Sequence, residues 1–343
     1  MLRYVIWKKR KRLTAVAIIL AVTGSGSVSG ASGAAAADLR GKKPVAPVEA
    51  PFAGCKETKD TALPADVFGF GSGTDVADPG SLGAGLEYGG GFGRRGGSFN
   101  ANSLKASLPY GLLPCLEIGP SLNIGIGRGT DRFSSSTDRT TAYGGQVEIK
   151  YKLLGRAAHG IGLTFVTEPG YSQVNTRLND PVTPFIGSER SRQFSNTYKV
   201  LTDFAIIPDR LFGAFSVEYA HAFNTAEPLG LNGCVPASGA TNAWCRGSSL
   251  NLRVAAALKV ADPLFIGAEV QHLRAYSGTF LNDLAGQAWF VGPTFFWEPL
   301  PGKLSLSGTL AVQVAGKATG ISGRLDTTNF NHHIAKLKLG YTF

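Results

Sequence analysis

The sequence is poor in methionine and in charged residues, and after its first residues it has no long apolar run. One methionine, four cysteines and 17% charged residues stand against 45 glycines in 343 residues. A composition rich in glycine and poor in methionine is typical of turn-rich β structure rather than of helices. No later segment has the ~20 consecutive apolar residues of a membrane-spanning helix, and a hydrophobic content of 43% excludes a disordered chain.

Acidic residues are absent from residues 1–37, which instead contain six basic residues in the first twelve positions. An apolar run from Leu13 to Val22 follows, and then small residues that end at Ala37. A basic start, a short apolar run and an A-x-A site are the parts of a secretory signal peptide. The run is about half as long as a spanning helix, which favours cleavage after Ala37 over a retained anchor.

The net charge of +10 and the isoelectric point near 9.5 would suit a nucleic-acid partner. Cleavage after Ala37 removes six of these charges, and 10 − 6 leaves +4 on the mature chain. We therefore expect no nucleic-acid partner, because the basic character belongs largely to the export signal.

Apolar and polar residues alternate in long stretches from Gly83 to Phe343, and turns separate the stretches. A period of two residues indicates strands whose two faces meet different environments. In the last stretch, for example, Leu337 and Leu339 share one face while Lys336 and Lys338 share the other. The predicted strands cover 83–92, 99–112, 116–127, 141–154, 161–174, 192–207, 211–223, 248–260, 264–276, 287–299, 303–318 and 330–343.

Strand length and connection length together favour a membrane barrel over a soluble sandwich. The strands match the ~9–11 residues of a tilted membrane strand, and short turns alternate with long loops as in bacterial barrels. A sheet in a bilayer must close, because an open edge would leave its backbone groups unpaired. We predict an all-β fold, an antiparallel up-and-down transmembrane β-barrel of about twelve strands in the bacterial outer membrane, with ten or fourteen strands as alternatives.

The last predicted strand ends in a residue pattern that resembles a known signal. Alternating apolar residues up to a terminal phenylalanine resemble the carboxyl-terminal signal of Gram-negative outer-membrane β-barrel proteins. That resemblance implies recognition by the barrel-assembly machinery. The segments 108–112 and 116–119 (Leu-Pro-Tyr-Gly-Leu and Leu-Glu-Ile-Gly) are also similar to porin-like proteins of the phenol-degradation and uptake-channel group. The implied signal residues are Leu337, Leu339, Tyr341 and Phe343.

The four cysteines test this topology, because two of them lie at opposite ends of the predicted barrel. Cys115 is in a short turn, whereas Cys234 and Cys245 share a long outer loop. An apolar band of ~25 Å separates the two ends, and disulfide Cα atoms lie within ~7 Å. Only the pairs Cys55–Cys115 and Cys234–Cys245 satisfy both conditions, and an oxidising periplasm suits them.

Residues 38–82 form an extension between the signal peptide and the barrel, which covers residues 83–343. Prolines make its first part a flexible linker. Residues 64–82 contain Phe68, Phe70, Asp75 and Asp78. Two predictions stay open for this part, a partial plug of the lumen and a periplasmic tail.

The polar positions of the alternating strands are predicted to form the lumen wall, and acidic and basic residues are mixed among them. A pore of strong selectivity would be dominated by one sign, so we expect cross-strand ion pairs and a weakly selective path for small solutes. Lys199 and Lys317 fall at these positions beside the predicted lumen-lining residues Glu87, Lys105, Glu117, Glu148, Lys150, Lys152, Glu168, Asp203, Glu218, Arg253, Lys259, Glu269, Lys336 and Lys338.

The function predicted from these features is a non-enzymatic, porin-like channel for passive passage of small solutes. A structural or surface-interaction barrel is the alternative. A lipid-face hydrolase is a third possibility, since His221 and Ser248 share the outward face of neighbouring strands and a histidine can activate a serine. His332 and His333 point to opposite faces, and no zinc spacing occurs, so neither a metal nor another cofactor is predicted. The barrel is expected to be surrounded by outer-membrane lipid, and the sequence does not specify an oligomeric state.

Overall fold

The structure is a computed structural model that describes residues 57, 63–64, 66–94, 97–131, 137–180, 185–225 and 244–343. The predicted signal peptide lies outside these residues and stays a prediction. Within the described ranges, no helix has the length and apolarity needed to cross a membrane.

Almost all of the described chain is β-strand, with one short helix, α1 (Arg156–His159). The strands are β1 (Gly83–Arg94), β2 (Gly97–Ser107), β3 (Tyr110–Leu113), β4 (Leu116–Asp131), β5 (Thr137–Leu154), β6 (Ile161–Asp180), β7 (Phe185–Ile207), β8 (Leu211–Thr225), β9 (Trp244–Ala261), β10 (Leu264–Tyr276), β11 (Leu284–Leu300), β12 (Leu304–Ala318) and β13 (His333–Thr342).

The strands close into an antiparallel barrel of twelve strands, because β3 continues β2 on the same side of β4. The interruption falls at Leu108 and Pro109, where a proline cannot donate a ladder hydrogen bond. The first and last strands join at the seam, where Glu87 is opposite Lys338 and Leu86 is opposite Leu339. The prediction of a closed barrel of twelve strands is therefore confirmed, and ten and fourteen strands are excluded.

The predicted strand positions agree with the structure near the short turns and are wrong at the long-loop end. Strands β6 and β7 pair as far as Asp180 opposite Phe185, although residues 175–191 were predicted as a loop. Similarly, β5 begins at Thr137 and β9 at Trp244. Beyond the membrane both faces of a strand meet water, so the hydrophobic alternation fades while the backbone pairing continues.

The outward face of the barrel is apolar, as a surface in contact with lipid requires. Leu122, Val254 and Leu310 are each more than half exposed on this face. The residues of the implied assembly signal lie on the same surface. Four side chains on β13 and at its end point outward and are exposed: Leu337, Leu339, Tyr341 and Phe343.

Candidate functional site: the lumen and its inserted segment

The lumen wall is built from the inward phase of the strands, and nearly all predicted lumen residues are on it. Lys105 is opposite Glu87 on the neighbouring strand, and Lys199 is opposite Glu218. Lys317 is the exception. The pairing of β11 with β12 shifts by one residue between Trp289 and Phe290, so the side chains near the end of β12 point to the opposite face from the one that strict alternation predicts. Lys317 is therefore opposite Gln287 on the outward face and is exposed.

Ion pairs link the inward charges around the wall. Lys336 Nζ is 3.0 Å from Glu87 Oε1, and Arg253 Nη1 is 2.9 Å from Glu218 Oε2. One contact spans non-adjacent strands, since Lys105 Nζ on β2 is 4.0 Å from Glu168 Oε1 on β6. Further pairs are Lys199–Glu168 at 2.8 Å, Lys150–Glu117 and Lys150–Glu148 at 3.1 Å, and Arg253–Glu269 at 3.9 Å.

Residues 66–81, here called the inserted segment, cross the inside of the barrel and bind inward groups on several sides. The backbone nitrogen of Phe70 donates to Glu269 Oε2 at 2.9 Å, and that of Ala77 donates to Glu117 Oε2 at 2.8 Å. Lys338 Nζ donates to Asp66 Oδ1 at 2.8 Å and to the carbonyl of Gly71 at 3.1 Å. The side chains of Glu269, Glu117 and Lys338 therefore bind the inserted segment and do not contact only the water of the lumen.

The tightest of these anchors is at the periplasmic end, around Thr74 and Asp203. The buried Asp203 carboxylate accepts hydrogen bonds from the backbone nitrogen of Thr74 at 2.7 Å and from its hydroxyl at 2.9 Å. The hydroxyl of Thr164 donates to the carbonyl of Thr74 at 2.5 Å. A β-carbon at Gly162 would lie 2.1 Å from Thr74 Oγ1, so glycine there permits the close approach.

Arg156, in the turn helix α1, completes this anchor. Its buried guanidinium pairs with Asp203 and Asp75 and donates to Thr74 Oγ1 at 3.0 Å. Burial alone would lower the pKa of Arg156, but the Asp203 and Asp75 carboxylates outweigh it and hold the pKa above its ordinary value. Lys152 also pairs with Asp75, at 2.6 Å. Sequence reasoning missed Arg156, because one arginine in a predicted turn carries no signal of a partner.

The wall between β8 and β12 carries two apolar clusters beside its charged residues Arg253 and Glu269, and the inserted segment packs against these clusters. Phe68 is buried in a cluster with Phe212, Phe265 and Phe296. Phe70 packs on a second cluster formed by Ala288, Phe290 and Ala311. The aromatic residues of the segment thus fill this half of the lumen.

The loop at 319–332, between β12 and β13, reaches the same half from the opposite end. Its Phe330 packs on the cluster that receives Phe70. Asp326 is fully buried, and its carbonyl accepts a hydrogen bond from Gln313 Nε2 at 3.1 Å. Segment and loop therefore meet within the barrel around Phe290.

Lys259 is at the periplasmic mouth, and its ion pair with the exposed Asp262 places it at the rim. Cys115 and Cys245 lie at opposite ends of the barrel, one between β3 and β4 and the other near the start of β9. Neither is a free cysteine. The predicted partners Cys55 and Cys234 fall outside the described residues, so the two pairings stay predictions.

His221 and Ser248 are directly opposite each other on the outward face, as predicted. The hydroxyl of Ser248 donates to the carbonyl of Gly278 at 2.6 Å, however, so its proton is directed away from the histidine. The Nδ1 atom of His221 is buried and has no hydrogen-bond partner in the described part of the chain. Among the described residues, the pair therefore has neither the serine–histidine bond nor the orienting third group of a hydrolase.

A model of a family of unknown function (DUF6662) matches residues 64–343. The chain belongs to this family. The matched range begins at residue 64 and so includes the inserted segment of this DUF6662 protein as well as its barrel. No curated protein matches the chain.

Solved structures share the fold of the DUF6662 protein. The β domain of the Bordetella autotransporter BrkA is 11% identical with a TM-score of 0.55, over 77% of this chain and 100% of that one. The translocator domain of NalP from Neisseria meningitidis is 12% identical with a TM-score of 0.53, over 79% and 91%. An outer-membrane channel from Pseudomonas putida F1 is 12% identical with a TM-score of 0.45, over 84% and 99%. The fold and the apolar outer face place the protein in the outer membrane.

Proposed function

We propose that the protein is a passive outer-membrane channel whose solute path follows the charged half of the lumen. The observation that carries this proposal is the exposure of inward charges near the seam. The side chains of Glu87, Lys105 and Lys336 are 31%, 23% and 21% exposed although they point into the barrel. Water therefore reaches the wall beside the filled aromatic half.

Small residues on the same part of the wall support this path. Inward positions between β1 and β4 are occupied by Gly89, Ser103, Asn123 and Gly125, which take up little of the lumen. The opposite wall carries Phe265, Phe290 and Phe296 instead. The path is accordingly narrow and lies to one side.

The mixed charges of the path favour small polar solutes with weak selectivity. A cation passing Glu87 also passes Lys105 and Lys336, so neither sign of solute charge meets a uniform field. Small solutes are thus the proposed partners, and the barrel-assembly machinery inserts the chain into the membrane. The disulfide Cys55–Cys115 secures the extension, and the disulfide Cys234–Cys245 secures an outer loop.

Single-channel recording in planar bilayers tests this proposal. We expect the mature protein to give discrete steps with a cation-to-anion permeability ratio near one. The double variant Phe70→Ala/Phe330→Ala should give larger steps, because it empties part of the aromatic half, whereas Phe280→Ala on the outer surface should leave them unchanged. Folded wild-type protein that gives no steps would refute the channel.

The meeting of Phe70 and Phe330 around Phe290 favours a second candidate, a non-conducting structural or surface-interaction barrel. In that case segment and loop together close the lumen. The same recordings separate the two candidates, since a closed barrel gives no steps as wild type and conducts only after both phenylalanines are removed.

A further inference from the structure

Arginines are concentrated on the outward face of the barrel at its long-loop end. Three are direct cross-strand neighbours, since Arg128 is opposite Arg139 and Arg139 is opposite Arg177. The same face of β7 and β9 carries three more. All six are exposed, and together they are called the arginine row: Arg128, Arg139, Arg177, Arg190, Arg192 and Arg246.

In the part of the chain that the structure describes, the row has no acidic counterpart. None of its members forms an ion pair within the described residues, and the described outward positions of β4 to β9 carry no aspartate or glutamate. Like charges directly opposite each other in a sheet are destabilising. Arg128, Arg139 and Arg177 therefore repel one another unless an anion lies against them.

The position of the row identifies that anion's source. Aromatic residues mark the outer membrane interface on the same strands, namely Tyr143, Tyr171, Phe194 and Trp244, all exposed. Toward the outer end, Arg192 is two residues beyond Phe194, Arg139 is four beyond Tyr143 and Arg177 is six beyond Tyr171, whereas Arg246 is opposite Phe223 at the level of Phe194. At ~3.3 Å per residue on tilted strands, Arg139, Arg177 and Arg192 lie about 5–15 Å above the girdle, at the level of lipid headgroups.

Neighbouring groups hold two of these arginines in place. Arg190 Nη2 donates to Tyr143 Oη at 3.0 Å, and the guanidinium of Arg246 lies over the ring of Phe223, 5.7 Å from its centre. A fixed guanidinium binds phosphate through two parallel hydrogen bonds. Adjacent strands are ~4.8 Å apart, so neighbouring members of the row can contact a single phosphorylated headgroup together.

We propose that the arginine row is a binding surface for phosphate groups on the headgroups of outer-leaflet lipids. It fixes the depth of the barrel in the membrane and surrounds its β4–β9 side with phosphorylated lipid. The surface is on the outer wall and is independent of whether the lumen conducts.

Lipid binding to the folded full-length barrel, purified in uncharged detergent, tests the proposal. The probes are bisphosphorylated lipid A and the same lipid without phosphates, with affinities measured by native mass spectrometry. We expect the phosphorylated lipid to bind at least about tenfold more tightly. Arg139→Gln/Arg177→Gln should weaken its binding by about 25-fold, at about fivefold for each arginine near an anionic headgroup.

The matched control is Arg210→Gln/Lys303→Gln, which removes the same charge from exposed turns at the periplasmic end. It should leave the affinity within about twofold of wild type. Arg139→Lys/Arg177→Lys should bind better than the glutamine variant, which excludes simple misfolding. Equal binding of the two lipids, equal binding by the glutamine variant, or full displacement by millimolar inorganic phosphate would overturn the proposal.

Discussion

Asp203 on β7 accepts two hydrogen bonds from Thr74, one from its backbone nitrogen and one from its hydroxyl. This carboxylate is fully buried and also pairs with Arg156. A single wall residue thus joins the inserted segment to the periplasmic turn helix.

Replacing this carboxylate should release the segment. Asp203→Ala leaves the Arg156 guanidinium buried without its main partner, and breaking a buried pair costs about 3–5 kcal/mol. We expect a matching fall in the free energy of unfolding in urea, together with faster chymotrypsin cleavage after Phe68 and Phe70. Asp262→Ala removes an exposed ion pair and should cost at most about 1 kcal/mol. Comparable losses in the two variants would contradict the anchor.

Gly111 allows the segment to pass close to β3. A β-carbon at this position would lie 2.0 Å from the carbonyl oxygen of Asp78. Gly111→Ala should therefore displace the segment and lower the free energy of unfolding by about 1–3 kcal/mol. Gly125→Ala is the control, because its nearest contact would be an ordinary 3.7 Å, and the two variants are compared by urea titration of the folded band on gels. A fully neutral Gly111→Ala would speak against the close approach.

Charge reversal near the seam should change ion selectivity. Lys105→Glu/Lys336→Glu leaves Glu87 among added carboxylates, so the path becomes acidic and favours cations. The reversal potential in a potassium chloride gradient should move toward the potassium equilibrium potential. Lys303→Glu, in an exposed periplasmic turn, should leave it within experimental error of wild type. If the seam variant is no more cation-selective than this control, the solute path does not run beside Glu87.

The two cysteine pairings can be read directly from non-reducing peptide mapping. We expect peptides that link Cys55 to Cys115 and Cys234 to Cys245, because Cys115 and Cys245 lie at opposite ends of the barrel. A peptide linking Cys115 to Cys234 would contradict the topology. Cys234→Ala should leave the Cys55–Cys115 peptide intact.

Much of the barrel follows from the sequence because lipid imposes a strict period on each strand. That period correctly assigns Glu87, Lys105 and Lys336 to the inside. It fails at Lys317, since a bulge inverts the facing of the strand without any change in composition. It also fails beyond residue 174 of β6, where water meets both faces and pairing is fixed by neighbouring backbone alone.

The inserted segment was less accessible to sequence reasoning. Phe68 and Phe70 indicate burial, but the segment has no regular period that would reveal which wall it contacts. Its position depends on partners far along the chain, such as Glu269 and Lys338, and on Arg156 in a turn. Such contacts arise only when the barrel closes.

The pair formed by Lys338 and Asp66 has a consequence for assembly. Lys338 belongs to the last strand, whereas Asp66 precedes the first, so their contact ties together the two ends of the closing sheet. Binding of the inserted segment and pairing of β1 with β13 therefore stabilise each other, as coupled hydrogen-bond networks do. A barrel that closes around an empty interior leaves Asp203, Glu269 and Lys338 without their contacts to the segment. The closed barrel is therefore most stable when the inserted segment occupies its interior.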